Sequence, residues 1–271
     1  MAGSFRKYLN ICRVSLSERL AYRGDFILAT VLRFLPLLTT VLLWEAIFAG
    51  SEKDELAGFT YRNMIAYLLL VHISRMFSSM PGLSTGIARD IRHGDIKKYL
   101  IQPIDMIGFL LAYRVAHKLA YIATSGIPYA GLFAVCHGYF DGLPEPATLG
   151  IYVATLFLGF VIGFFFETMM GMLGFWMLEV TSLLYIVNTI NFFVSGHMFP
   201  LDLLPGPLAS VLRALPFPYL AYFPAAVFLE KITGPALIEG LLVGLAWALA
   251  FILLSRWLHT RGLRRYSAFG G

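Results

Sequence analysis

Some ionisable side chains fall inside the long apolar stretches of this chain or at their ends, among them Arg33, Glu45, Arg75, Arg114, Glu167 and Glu179. A charge near the middle of a bilayer is costly, and where it persists it faces a partner or a wet cavity, as in proton and ion relays. Arg33 lies about two turns into the first apolar stretch. Glu167 lies deep in the fourth, directly after Phe164, Phe165 and Phe166. These two are the candidates for buried charge, with Glu167 as the candidate functional acid and an Arg33–Glu167 pairing as one way to neutralise both. For Arg75, Arg114 and Glu45 the reading is snorkelling, in which the stem stays in apolar surroundings and the head reaches the interface.

Other chemistry is sparse. No Gly-Lys pair occurs, so the chain lacks a phosphate-binding P-loop. His-Glu-x-x-His and Cys-x-x-Cys are absent, and His72, His93, His117, His137, His197 and His259 do not cluster at metal-ligand spacing. His72, Arg75 and Met76 share one helical face, which reads as polar packing. No nucleophile–base pair or carboxylate pair can be assembled on facing stretches. Catalytic and metal-binding residues, and a cofactor bound by this chain, are therefore expected to be absent. Cys12 and Cys136 are far apart and imply no disulfide framework.

The surroundings of the charges set the architecture. The chain is 58% hydrophobic and 14% charged, with a mean hydropathy of +0.73, whereas a soluble domain carries roughly 25% charged residues. A helix crossing ~30 Å of hydrocarbon needs about 20 mainly apolar residues. Six candidate spans meet or approach this: Phe26–Phe48, Asn63–Met80, Met106–Cys136, Thr148–Trp176, Thr181–Ser195 and Leu237–Trp257. The fifth is too short to cross alone and needs the irregular segment after it. With the N-terminus inside, segments 1–25, 86–105 and 256–271 hold 5, 4 and 4 Lys/Arg, against four outside: Lys53, Arg62, Arg213 and Lys231. This bias places both termini in the cytoplasm. The basic residues flank spans, so the pI of 9.2 reflects topology and not nucleic-acid binding. The N-terminus has no secretory-signal pattern, and all 271 residues are expected in the mature protein. The expected fold is all-α: one polytopic membrane domain over residues 1–271 with six transmembrane helices.

Three segments are not spans. In residues 1–25, Phe5, Leu9, Cys12, Leu16 and Leu20 recur at helical spacing opposite Arg6, Asn10, Arg13 and Ser17. That pattern predicts an amphipathic helix in the cytoplasmic interface, ended by a turn at Gly24-Asp25; the alternative is a tail whose arginines only anchor topology. Residues 86–105 are the most polar interior stretch, broken by Gly94 and stopped by Pro103. Composition alone favours a solvated loop there; the other reading is a short helix that docks in a groove of a cytosolic partner. Residues 196–224 hold Pro200, Pro205, Pro207, Pro216, Pro218 and Pro224, which forbid one continuous helix. Two short helices are expected, near Leu203–Ala214 and from Tyr219, re-entering the outer leaflet; the alternative is a loop on the membrane surface. Gly159/Gly163 and Gly240/Gly244 give small-xxx-small spacing for close helix packing.

With these pieces in place, the chain resembles the permeases of type-2 ABC exporters. Ile91-Arg-His-Gly94-Asp-Ile96-Lys-Lys-Tyr-Leu100-Ile-Gln-Pro103 is similar to that family's motif between spans two and three. Ser195-Gly-His-Met-Phe-Pro-Leu-Asp-Leu-Leu-Pro205 and Leu215-Pro-Phe-Pro-Tyr219 resemble its segment between spans five and six, and Arg264–Gly271 resembles the tail of one bacterial subgroup. The resemblance implies that residues 1–25 are a connecting helix and that Ile91, Arg92, Gly94, Asp95, Ile96, Leu100 and Pro103 couple to a separate ATPase subunit. It reverses the preference for a bland loop at 86–105. It implies a re-entrant outer gate, with Phe192, Phe193, His197, Met198, Phe199 and Pro200 in the translocation path or gate. ATP and Mg would be bound by the partner ATPase. The implied partners are that ATPase, a second permease subunit as homodimer or heterodimer, membrane lipid and the transported substrate, in a bacterial inner membrane.

Sparse charge along the inferred path favours an amphipathic or hydrophobic cargo: a small molecule, peptide or lipid. An ATP-independent secondary transporter or channel using Glu167 is the alternative, although such carriers commonly show internal repeats and none is evident between the halves. A scaffold recruiting soluble partners through residues 86–105 is the third reading.

Overall fold

The computed structural model describes residues 2–21, 23–51, 53–177 and 179–266, without the side chains of residues 2–5, 19–21, 23, 25–27, 29 and 33. The fold is predominantly helical. Among the described residues the only strands are β1 (Glu55–Leu56) and β2 (Phe59–Thr60), a minimal antiparallel hairpin in an otherwise helical fold that agrees with the all-α expectation. Ala57 and Gly58, both at positive φ, make its turn. Among the described residues, five stretches are long and apolar enough to cross a membrane: Thr30–Ala49, Tyr61–Arg92, Met106–Tyr139, Pro146–Phe175 and Gly234–Arg265. At the position of the expected fifth span stands a shorter apolar helix, Thr181–Val194. Its 14 residues reach only about 21 Å, which bears out the reading that it cannot cross alone.

The chain divides into two compact units. The first comprises residues 1–40 and 96–138. In it α1 (Ala2–Ala21) lies along α6 (Met106–Cys136). Asp105 caps α6 by accepting from Gly108 N at 2.7 Å, satisfying one of the helix's orphan donors. The Tyr8 hydroxyl accepts from Asp105 N at 3.3 Å, and Lys7 Nζ donates to the Pro103 carbonyl at 2.5 Å. A Cβ on Gly108 would stand 3.1 Å from the Tyr8 hydroxyl, so glycine there admits α1. Ser15 is buried, Cys12 and Leu16 are half-buried, and Leu9 is exposed. The next helix, α2 (Arg23–Ala49), includes Gly24 and Asp25 in its first turn, where the sequence predicts a turn. The first turn of a helix lacks intrahelical N–H partners in any case.

The second unit comprises residues 41–95 and 139–271. Its central helix is α7 (Pro146–Met172), flanked by α3 (Tyr61–Ser78), α4 (Leu83–Arg92), α10 (Tyr222–Phe228) and α11 (Gly234–Arg265). Glycines on α7 permit the closest approaches. A Cβ on Gly163 would lie 2.1 Å from the Ser78 carbonyl oxygen, and one on Gly171 2.8 Å from Ile87 Cβ. The small-residue spacing thus serves packing, as expected, although Gly240 and Gly244 admit the rings of Phe223 and Tyr219 and not another helix backbone.

Between α8 (Thr181–Val194) and α11 the Pro-rich segment folds back into this unit. It forms a 3-10 turn at Leu201–Leu203, α9 (Gly206–Arg213), a second turn at Phe217–Leu220 and then α10, close to the two short helices expected. Tyr67 donates to the Gly196 carbonyl at 2.5 Å, Tyr222 N to the Ser195 carbonyl at 3.0 Å, and Ser78 Oγ to the Leu220 carbonyl at 2.7 Å. The segment therefore returns along α3 as far as its last residue. Asp202 fastens the return by accepting from Arg213 at 2.6 Å and from the Tyr222 hydroxyl at 2.9 Å.

Candidate functional site

The sequence Ser79-Met80-Pro81-Gly82 interrupts what would otherwise be one long helix. Pro81 has no N–H to return to the Phe77 carbonyl, and its ring disfavours helical backbone at Met80. Gly82 adopts φ +70, a conformation that L side chains resist. The chain re-enters helix at Leu83, with Gly82 as N-cap and no side-chain cap. The break falls just past the middle of the 32-residue apolar run Tyr61–Arg92. Irregular backbone at such depth is tolerated where it is buried in protein or lines a wet cavity.

A cavity of about 320 Å³ opens at this break, within the second unit. Arg75, Ser79 and Thr85 line it from α3 and α4, Glu167 from α7, and Asn188, Asn191 and Phe192 from α8. Arg75 and Glu167 are both half-buried, and their charges attract one another. The ring of His197 lies within electrostatic range of Arg75 and His72. Asn191 is 5% exposed, and its Oδ1 has no hydrogen-bond partner among the described residues. A buried amide oxygen left so costs about 1–3 kcal/mol. A larger cavity, about 370 Å³, lies among loop residues 139–145 and 228–231; it carries no comparable set of buried polar groups.

One sequence expectation is corrected here. Arg75 is not a simple snorkelling residue; the helix break opens a polar cavity beside it, and Glu167 in the same unit attracts its charge. The Arg33–Glu167 pairing expected from sequence falls on a side chain outside the described residues. Glu167 itself, singled out from sequence, lines the cavity. Ser79, Thr85, Asn188 and Asn191 were not foreseen, although the Pro81-Gly82 pair inside an apolar run is a turn signal that points to them. Gly82-Leu83-Ser84-Thr85-Gly86 also has the spacing of a nucleophile elbow. That motif requires a strand before the turn, and here a helix precedes it while Ser84 is buried against α7.

The expected path residues divide. Phe192 and Phe193 are exposed on α8, with their rings edge-on at 5.6 Å, and His197 lies 4.6 Å from the Phe192 ring. The Met198 carbonyl accepts from Trp44 Nε1 at 3.0 Å. Phe199 is half-buried and Pro200 buried. Of the six, Phe192 lines the cavity.

The expected coupling residues fall in both units. In the second, Ile91 is buried, Arg92 and Asp95 are exposed, and Gly94 at φ +80 ends α4, the left-handed stop that glycine suits. Arg92 pairs with Glu179 at 3.1 Å, and Glu179 Oε1 accepts from Thr181 N at 2.7 Å. Hydrogen bonds from Thr181, and then the Arg92 charge, hold the Glu179 carboxyl below its ordinary value. In the first unit Ile96 is buried, Leu100 and Pro103 are exposed, and α5 (Lys97–Leu100) makes one helical turn. The solvated-face reading is therefore too simple, because α4 packs Leu83, Ile87, Ala88 and Ile91 inward. The tail motif from Arg264 lies outside the described residues beyond Tyr266.

The sequence model of the family described as "ABC-2 family transporter protein" matches residues 34–270. No curated protein matches the chain.

Proposed function

The chain belongs to the ABC-2 transporter family, and on that premise we propose that it is the membrane-spanning permease subunit of an ABC exporter. The match over residues 34–270 carries this reading, since it spans the candidate spans and both irregular segments. The protein is a multi-pass membrane permease, and its family implies an ABC ATPase partner. In the proposed mechanism two permease subunits enclose the path, and two ATPases bind ATP and Mg at the cytoplasmic side of a bacterial inner membrane. Closure of the ATPases pushes on the exposed residues of the 86–105 segment, Arg92, Asp95, Leu100 and Pro103. The movement is passed along α4 to the break at residues 79–82, where a helix hinge already exists. Phe192 and Phe193 then meet an amphipathic cargo.

The test is affinity purification of the tagged protein from its native membrane, with partners identified by mass spectrometry and ATPase activity assayed. Co-purification of a P-loop subunit, reduced by Gly94→Pro and Asp95→Lys, is the expected result. A preparation with no ATPase partner overturns the reading. The placement of Glu167 in a polar cavity favours one second reading, an ion-coupled carrier. It requires flux that follows a proton or sodium gradient without ATP and that is abolished by Glu167→Gln.

A further inference from the structure

We infer that the cavity at the α3–α4 break takes an uncharged head group that carries several hydroxyls, a glycosyl or other polyol ring on an amphipathic molecule. The inference rests on the permease reading and deepens it by naming the chemistry of the cargo end that this site holds.

The hydrogen-bonding inventory of the lining selects the ligand. Arg75 offers donors only, Glu167 as a carboxylate offers acceptors only, and Asn188 and Asn191 each offer both. Ser79 and Thr85 add hydroxyls from the break and from α4. The charged groups of the lining are one cation and one anion, so its net charge selects neither sign. A ligand group that only donates or only accepts suits one part of this lining and faces the rest unmatched. A hydroxyl suits all of it, because its proton goes to an acceptor while its oxygen receives a donor. Glu167 also holds another interaction, and its carboxylate, with about four acceptor sites, keeps room for a further donor.

The strongest demand for a partner comes from Asn191. It is 5% exposed, lines the cavity, and its Oδ1 makes no hydrogen bond among the described residues. A carboxamide so buried calls for a partner, and a hydroxyl pairs with either of its ends. Asn188 stands three positions earlier on α8, on the same helical face, so one ring reaches both amides. Beside these groups Phe166, Phe192 and Leu220 supply apolar surface, which matches the C–H face of a ring and the start of an alkyl chain. The volume of about 320 Å³ is near the small end of ligand pockets, and it holds one ring and not a whole lipid.

The experiment uses the purified full-length chain in phosphatidylcholine nanodiscs, without sugar detergent or nucleotide. It reads displacement of a fluorescent alkyl glucoside, with empty discs as the blank. Competitors of equal chain length are an alkyl glucoside, its permethylated ether, an alkylphosphocholine, an alkyl sulfate and an alkyl trimethylammonium, with glucosyl diacylglycerol as a diacyl arm. The ether keeps the ring and its oxygens and loses every donor. The wild type should prefer the glucoside over the ether, and over each charged competitor, by about tenfold or more. Asn191→Leu should abolish the preference for glucoside over ether while the ether still binds, which shows that the variant is folded. Asn188→Leu, at an exposed position, should reduce the same preference, and it decides the matter if Asn191→Leu binds neither compound. Displacement by glucosyl diacylglycerol as well would assign the site to membrane glycolipid, and displacement by the single-chain glucoside alone to a smaller cargo; each supports the assignment. Equal binding of glucoside and ether, a preference for any charged competitor, or a preference unmoved by the asparagine variants overturns it. Probe binding no greater than to empty discs, as for a cavity that holds only water, overturns it as well. The readout uses no ATPase, so the permease reading stands on co-purification of a P-loop subunit even if this inference falls.

Discussion

Two helical tracks run side by side through the second unit, and they differ in one respect. α7 continues unbroken from Pro146 to Met172 and has the higher mean hydropathy, 2.3 for its apolar run against 1.2 for Tyr61–Arg92. The α3–α4 track stops at Ser78, resumes at Leu83 and carries Arg75 one turn before the gap. On α7 the small residues bring neighbours close; on α3–α4 the Pro-Gly pair pushes backbone away and leaves space that polar groups line. The two solutions depend on each other. Gly163 accepts the Ser78 carbonyl at the very end of α3, so the unbroken helix supports the place where the other one breaks. The comparison teaches that charge in this bundle sits where helix packing has been given up.

The largest effect should come from filling the contact between the tracks. Gly163→Leu drives side-chain atoms into the Ser78 backbone and should cost about 3 kcal/mol, measured as a lower unfolding midpoint in detergent. Gly150→Ala, on the same helix with open space around it, should be close to neutral; equal loss in both would break the comparison. Next is the charge pair. Arg75→Ala removes the positive charge that attracts Glu167 across the cavity and should cost about 1–3 kcal/mol, given that both groups are only half-buried. A double-mutant cycle with Glu167→Ala should return a coupling of the same sign, and additivity would show that the two do not interact. Healing the break is gentler on stability. With Cys12 and Cys136 replaced, a cysteine at Thr85 should react with a water-soluble thiol reagent. Pro81→Ala with Gly82→Ala should slow that labelling by about tenfold, as continuous helix closes the cavity.

The smallest effect concerns the exposed end of the track. The Glu179 carboxyl is held low by Thr181 and Arg92, so its stabilisation is present above the ordinary carboxylate pKa and is lost as pH falls through its lower folded value. Glu179→Gln should flatten the acid limb of the stability profile slightly, and an unchanged limb would show that the Arg92 pair contributes nothing.

Much of the frame was legible because apolar length and charge placement are one-dimensional properties. The apolar stretches, the short fifth helix and α9 follow from composition and proline spacing, whereas α10 begins at Tyr222, after a 3-10 turn, and not at Tyr219. Glu167 was legible as well, since a carboxylate after three phenylalanines stands out. Its partner was not: Arg75 lies 92 positions away, and nothing in a linear pattern says which arginine reaches which acid. Arg33 was as plausible by sequence depth.

By itself, the sequence determined that this chain lives in a membrane as helices, because its composition suits no aqueous fold and its apolar runs have the length of crossing helices, not the shorter alternating segments of a barrel. The tertiary structure alone decided which polar residues share a space. Ser79, Thr85, Glu167, Asn188 and Asn191 come from three helices and the gap between α3 and α4. They meet because Pro81 ended one helix, Gly82 turned the chain into the next, and glycines on α7 held both in place.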